Sequence, residues 1–298
     1  MDPLTIPFCK DLNMLEIAHA PPQDRAEIAR FMQAAFPRAK WDRSGWDALL
    51  SSRWSGPDNS YAVTVRDKGK LVGVLGLVTA TRPTRSGMAK MANITSWYVD
   101  SAYRGQGVGS QMLELVTADP DVTITNFSSA KRAVPVVERA GFSILDAERL
   151  VWQAGAGQPN FKAHRSPLTL GLALGDRDKQ VIQDHAGLDL LPLTVETPDG
   201  LCTLILSIKQ KHDAYVTYET MYVGNRPLFS KHAQAIALAV LPRHDAVLSV
   251  DSRFVEQGTQ CDRREVFAVP RYYTPGRILA EDIDHLYSEI VLLGLKMY

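Results

Sequence analysis

Apolar and polar positions follow one another along the chain in two periods, near two residues and near three and a half, and these predict an alternation of strands and helices. LEIAHA (15–20) reads as a short strand. PPQDRAEIARFMQAAF follows, opening on prolines, which a helix accepts in its first turn, with apolar residues at Ile28, Phe31, Met32 and Phe36 on one helical face. A second short helix is predicted around SGWDALLSSRW. YAVTVRDKGKLVGVLGLVTA holds two strand-like runs around the turn Asp67-Lys68-Gly69 and predicts a hairpin. MAKMANITSWYVD is a further strand, set directly against glycines at 105, 107 and 109. Val108, Met112, Leu115 and Val116 then recur at helical spacing, so a helix begins at the glycines. DVTITNF returns as a strand, VPVVERAGF as a helix with Pro135 near its start and Gly141 at its end, and FSILDAERLVW as a last strand.

The stretch 153–167, QAGAGQPNFKAHRSP, is rich in Gly, Pro and Ala and has no period, which predicts a linker between a first domain over 12–152 and a second over 168–298. In the second half LCTLILSI, AYVTYETMYV and AVLSVD read as strands, with a helix over LFSKHAQAIALAVL. A shift of about 124 residues sets WYV on MYV and DVTITNFSS on DAVLSVDSR without a gap, which predicts a repeat. Where the first half has its glycines the second has LFSKHA, so the second copy is degenerate and only the first can admit a close-approaching ligand. AEDIDHLYSEIVLLGL is amphipathic at Ile283, Leu286, Tyr287, Ile290 and Val291, a pattern of core packing.

Composition narrows the function classes. The 298 residues carry 33 basic and 33 acidic side chains, so no basic excess suits nucleic acid as a main partner. No apolar run approaches the roughly 20 residues of a membrane helix, and the N-terminus has no signal-peptide pattern, so a cytoplasmic protein without a membrane span is expected. Cys9, Cys202 and Cys261 are odd in number and widely spaced, as for reduced thiols. The seven histidines show no metal-ligand spacing, and no metal is expected.

Glycines at a helix start leave unpaired N–H groups open to an anion. The stretch lacks the Gly-Lys-Ser/Thr ending of a nucleotide P-loop and the GxGxxG spacing of a dinucleotide fold. Arg104-Gly105-Gln106-Gly107-Val108-Gly109, preceded by WYVDSAYR, resembles instead the acyl-CoA signature of the GCN5-related N-acetyltransferase family, with Ser101 where that family usually has proline. The resemblance covers roughly 12–152, including the element order and the downstream ERAGF, and implies a mixed α/β fold binding acetyl-CoA or another short acyl-CoA. It implies that Gln106, Gly107, Val108 and Gly109, with Ser110, hold the pyrophosphate by backbone N–H groups, that Arg104 and Gly105 flank it, and that the backbone of Trp97 to Val99 pairs with the pantetheine arm. Asn126, Ser128 and Ser129 fall where the family often contacts the cofactor. The whole-chain pattern, with VPRYYTPG and YSEIVLLGL, is similar to that of a set of bacterial acyltransferase-like proteins.

The usual catalytic groups are missing from these patterns. The family's tyrosine acid before the GF pair is replaced by Val137, and ANITSWYV offers no carboxylate base, leaving Ser96 and Tyr98 as candidates to order a water. Tyr272 and Tyr273 reach the cleft only if the domains close on one another. Arg263 and Arg264 in CDRRE read as an acidic-substrate site or as a solvated cluster, and Trp41, Trp46 and Trp54 as an acceptor wall or as core. The expected function is acyl transfer to a small-molecule amine by direct attack on the thioester. The alternatives are a non-catalytic acyl-CoA binder or scaffold and an aminoacyl-tRNA-dependent transferase, the latter disfavoured by the neutral charge. A homodimer is compatible with the pattern.

Overall fold

The computed structural model describes residues 15–56, 59–155, 159–211, 215–242, 245–276 and 278–297; the expected start of the first domain, Cys9, His212 and His244 lie outside these. The strands are β1 (Leu15–His19), β2 (Ala62–Asp67), β3 (Lys70–Thr84), β4 (Gly87–Val99), β5 (Val122–Asn126), β6 (Ser143–Gln153), β7 (Lys162–Arg165), β8 (Leu191–Thr197), β9 (Gly200–Lys211), β10 (Tyr215–Val223), β11 (Ala246–Asp251) and β12 (Arg263–Tyr273). The helices are α1 (Arg25–Ala35), α2 (Arg43–Leu49), α3 (Val108–Val116), α4 (Val134–Arg139), α5 (Asp176–Asp184), α6 (Arg226–Val240) and the single turn α7 (Glu289–Leu292). Among the described residues no helix is long and apolar enough to cross a membrane.

Side chains of a strand point alternately to opposite faces of its sheet. In the first half Val63, Val65, Val72, Leu75, Leu77 and Ile94 pack against Val108, Met112, Leu113 and Val116 of α3 and Val137 of α4. Ala62, Leu71, Val74 and Val78 pack on the other face against Ile28 and Met32 of α1 and Trp46 and Leu49 of α2. Burial on both faces is why residues 71–78 of β3 form a continuous apolar run instead of an alternating one.

All the strands join one mixed sheet in the order β1-β2-β3-β4-β5-β12-β6-β11-β10-β9-β8-β7. The order has a two-fold pattern about the β12–β6 pair. Strand β12 enters between β5 and β6, β6 lies between β12 and β11, and the parallel pair β4–β5 has its counterpart in the parallel pair β10–β11. Two findings depart from the expectation of two domains joined by a linker over 153–167. Strand β7 lies inside that segment, and each half inserts a strand into the other, so the halves share one sheet. Neither was readable beforehand because KAHR is too short to show a period and the charges of Arg263, Arg264 and Glu265 mask β12.

In both halves the parallel pair separates at its C-terminal end. The β4–β5 pairing stops at Asn93↔Thr125, and the β10–β11 pairing at Glu219↔Ser249. In the second half the gap is filled by the chain's own C-terminal segment. The backbone N–H of His285 donates to the carbonyl of Met221 at 3.0 Å, and Met221 is the extra residue of a bulge on β10. Ile283, Leu286, Tyr287, Ile290 and Val291 bury themselves there with Met221 and Tyr222, as their amphipathic spacing predicts, although only one turn of this segment is helical.

Buried ion pairs fix the segment. Asp284 holds Arg82 of β3 in a pair almost wholly removed from water. Asp251, at the end of β11, accepts from Arg271 at 2.5 Å and from the Nε2 of His285 at 2.7 Å, while Arg253 pairs with Asp146. Burial alone would raise the Asp251 carboxyl, but Arg271, His285 and Arg253 hold it well below its ordinary value.

Candidate active site

The gap that stays open is the first-half one. A bulge at the end of β4 sets Ser96 and Trp97 against the single residue Leu75, between the pairs Thr95↔Gly76 and Tyr98↔Val74. Ser96 takes φ +48°, a left-handed conformation that turns the strand. From Ile94 onward β4 has no strand partner on the side of β5, so its backbone groups face the opening. Asn93 marks the point of separation, its side-chain amide donating to the carbonyl of Thr125 at 3.2 Å and to its hydroxyl at 3.1 Å.

The glycines close one end of the opening. Gly105 and Gly107 take φ of +77° and +79°, which glycine alone adopts without strain. Gly107 is the N-cap of α3 and contributes no side-chain cap, so the first-turn N–H groups of that helix point outward unoccluded. Gly109 has a different reason: a Cβ there would stand 2.8 Å from the Trp97 ring, so this glycine lets the helix close against the bulge. The equivalent end in the second half is shut, since the Asn225 side chain caps α6 by accepting from the N–H of Leu228 at 3.0 Å.

These elements enclose a cavity of about 670 Å³ that brings together Ser96, Trp97, Tyr98, Val99, Arg104, Gly105, Gly107, Val108, Gly109, Ser110, Asn126, Ser128 and Ser129. Gln106 is the exception among the expected residues: its side chain turns back to donate to the carbonyl of Ala102 at 2.9 Å, leaving only its backbone for a ligand. Arg104 donates to the carbonyl of Val99 at 2.6 Å, and its guanidinium carbon lies 5.3 Å from the centre of the Tyr98 ring. Asn126 donates to Ser129 at 2.5 Å, which fixes the floor. Two further cations, Arg132 and Arg139, line the same cavity from the α4 side; their signal, a basic turn before VERAGF, was present but unread.

A second cavity of about 480 Å³ adjoins the first, sharing Phe36, Thr95, Ser96 and Ser128 with it. Its walls are mainly apolar: Ala35, Pro37, Trp41, Trp46, and Leu293 and Leu295 from the C-terminal segment. Trp41 and Trp46 therefore serve as wall and as core together. Trp54 does not reach it, donating instead to the carbonyl of Asp184 at 3.0 Å in the seam between the halves.

Several expectations about the chemistry are corrected by position. Tyr272 is buried under α4, where its hydroxyl donates to Glu138 at 3.1 Å, and neither Tyr272 nor Tyr273 lines either cavity. Val137 points into the core, and α4 presents Ala133, Val136 and Arg139 to the cavity instead. On β12 Arg263 pairs with Glu265 at 2.8 Å, and Arg264 reaches Glu148 of β6 at 2.5 Å, the solvated-cluster reading. Burial pushes the Cys202 thiol up to about 12, which leaves it a poor nucleophile.

Glu289 carries no sequence signal of a role at this site. Ser128, which lines both cavities, donates its hydroxyl to Glu289 Oε1 at 2.6 Å. Glu289 belongs to α7, 161 residues later in the chain. In the sequence it sits among apolar residues and reads as an ordinary acidic first-turn residue behind the helix cap Ser288.

The open edge of β4, the uncapped helix start and the glycine backbone fit the amide arm and pyrophosphate of an acyl-CoA. Residues 25–142 match the sequence model of the acetyltransferase (GNAT) family. Solved structures extend the likeness of fold to most of the chain. A GCN5-related N-acetyltransferase from Anabaena variabilis superposes with a TM-score of 0.53 at 11% identity, covering 87% of this chain and 72% of that one. A probable N-acyltransferase from Enterococcus faecalis gives 0.54 at 11% identity over 87% and 72%, and a GCN5-related N-acetyltransferase from Kribbella flavida 0.52 at 11% identity over 87% and 71%. Among curated proteins none matches the sequence. The first half of the chain therefore carries an acetyltransferase (GNAT) family domain over residues 25–142, and the chain shares its fold with solved GCN5-related N-acetyltransferases.

Proposed function

We propose that the protein transfers the acyl group of acetyl-CoA, or another short acyl-CoA, to the nitrogen of a small amine whose body occupies the apolar cavity, by direct attack on the thioester. The observation that carries this reading is the meeting of the two cavities at Ser96 and Ser128. The larger cavity has the backbone donors for the nucleotide and pantetheine, and the smaller has aromatic and aliphatic walls but no fixed anion site beyond the exposed Arg38. An amine with a compact apolar body suits it better than a sugar.

When bound, the thioester supplies an activated acyl carbon. The chain's residues do the rest: N–H groups of 106–109 at the α3 start hold phosphate oxygens, the β4 edge from Ile94 aligns the arm as an added strand, and backbone N–H groups beside the Ser96 bulge are the available donors to a carbonyl oxygen that gains negative charge. Catalysis belongs to the first half. The second half is a degenerate copy, a reading supported by the two-fold strand order and by its capped α6 and filled gap. The reaction fits a cytoplasmic setting, where acyl-CoA is made.

Calorimetric titration with acetyl-CoA, beside a Gly107→Trp variant and with free thiol followed in the presence of a panel of amines, tests the proposal. Binding by the unmodified protein, its loss in the variant, and thiol release with at least one amine are expected. The absence of a carboxylate, histidine or tyrosine acid on the α4 face of the cavity favours one competing reading, a non-catalytic acyl-CoA binder. Equal affinity for CoA and acetyl-CoA with no thiol release from any amine would establish that reading instead.

A further inference from the structure

We propose that Ser128 is the residue that takes the proton from the attacking amine, and that Glu289, delivered by the C-terminal segment, is the positioning residue behind it that receives the proton passed on. The inference rests on the transferase reading and supplies the base that the first half lacks. Among the described residues lining the two cavities there is no Asp, Glu or His. Ser128 lies at the junction of both, where an amine in the apolar cavity meets an acyl group in the other, and its hydroxyl is already bonded to Glu289 at 2.6 Å.

Glu289 is 1% exposed, and its second oxygen, Oε2, has no hydrogen-bond partner. Buried carboxylates ordinarily satisfy both oxygens or pair with a cation. The neighbouring charges are committed elsewhere. Arg271 of β12 is bonded to Asp251 and to the carbonyl of Phe127, Asp284 to Arg82, and His285 to Asp251, while Arg43 and Asp47 of α2 pair with each other at 2.8 Å on the surface. Burial pushes the Glu289 carboxyl up to about 7, against the lowering effects of the Ser128 hydrogen bond, its own backbone N–H and the charge of Arg271. A group so placed exchanges a proton near neutral pH.

The amine arrives as an ammonium. One of its protons passes to Ser128 Oγ as the Ser128 hydroxyl proton passes to Glu289 Oε1, leaving a neutral amine, an intact hydroxyl and a protonated carboxyl. The amine lone pair forms the C–N bond as the C–S bond breaks, the second nitrogen proton ends on the leaving sulfur, and Glu289 returns its proton to solvent through Ser128. Charge and atoms balance: ammonium plus thioester give amide, thiol and one proton.

The test is the pH dependence of kcat/KM for the unmodified enzyme and for Glu289→Gln, Glu289→Asp and Ser128→Ala, with acetyl-CoA affinity measured on each. Expected are an acid limb with a midpoint near 7 in the unmodified enzyme, loss of that limb and about a 100-fold fall in kcat/KM in Glu289→Gln and Ser128→Ala, partial recovery in Glu289→Asp, and unchanged acetyl-CoA affinity throughout. An active Glu289→Gln enzyme with the original rate and acid limb overturns the relay while leaving the transferase reading intact. Infrared difference spectra through pH 7 give an independent readout: a carboxyl band that titrates there, is absent in Glu289→Gln and moves in Ser128→Ala is expected. No such band in an active enzyme also overturns the relay alone. A protein that releases no thiol with any amine, whatever the band does, overturns the transferase reading and the relay together.

Discussion

Burial holds the Glu289 carboxyl at about 7, against an ordinary value of 4.5, so the native state keeps this proton over a range in which the unfolded chain has lost it. The sign follows from linkage. Below pH 4.5 the group is protonated in both states and has no pH-dependent effect. Between 4.5 and 7 the unfolded state gains stability by ionising, so native stability falls as pH rises; above 7 the deficit is constant, on the order of 3 kcal/mol. Urea unfolding of the unmodified protein and Glu289→Gln is expected to agree near pH 4 and to diverge in favour of Glu289→Gln by up to that amount at pH 8. Equal stabilities at pH 8 would mean that water reaches the carboxyl. A group kept at such a cost is in character with an active site, where stability is commonly sacrificed for function. At this scale legibility was uneven. Gly105 and Gly107 announced themselves because their left-handed backbone excludes other residues, whereas Gly109 belonged to the same motif for a packing reason that only the Trp97 ring reveals. Tyr272 was not legible as a core residue because the direction of a side chain depends on what lies above its strand.

At the scale of elements, the first-half helices and strands follow their sequence periods closely, down to the hairpin between β2 and β3, where Lys68 and Gly69 take φ of +49° and +81°. The helix starts divide the halves: α3 begins on an uncapped glycine and α6 on a capping asparagine, and that difference was present in the sequence. Strand β12 was not legible as part of the first half. It pairs with β6 from Arg263 to Tyr273 and touches β5 through Tyr272↔Asn126 and Tyr273↔Thr125, so without it both β5 and β6 become open edges. A fragment of residues 12–152, the first domain expected from the sequence, should therefore aggregate or lack fixed tertiary structure, because unpaired backbone groups and the underside of α4 are exposed together. Dispersed amide resonances from the isolated fragment would refute this. The full chain serves as the control.

For the whole molecule, the exchange of strands and the buried ion pairs Arg82–Asp284 and Arg253–Asp146 make the halves interdependent. One cooperative calorimetric transition is expected, and two well-separated transitions would show that the halves hold together independently. The same architecture predicts one acyl-CoA per chain, because the second gap is occupied by His285 and its neighbours and the α6 start is capped; a titration stoichiometry of two would contradict it. Local patterns in the sequence determined the periodic elements, the glycine loop and hence the resemblance of the first half to the acetyltransferase family, since each depends on residues within a turn or a strand of one another. Tertiary structure alone decided which gap stays open, which strand completes each half, and that Glu289 stands behind Ser128. Those outcomes turn on contacts between residues far apart in the chain, set by burial and strand pairing, and nothing in a local period specifies them.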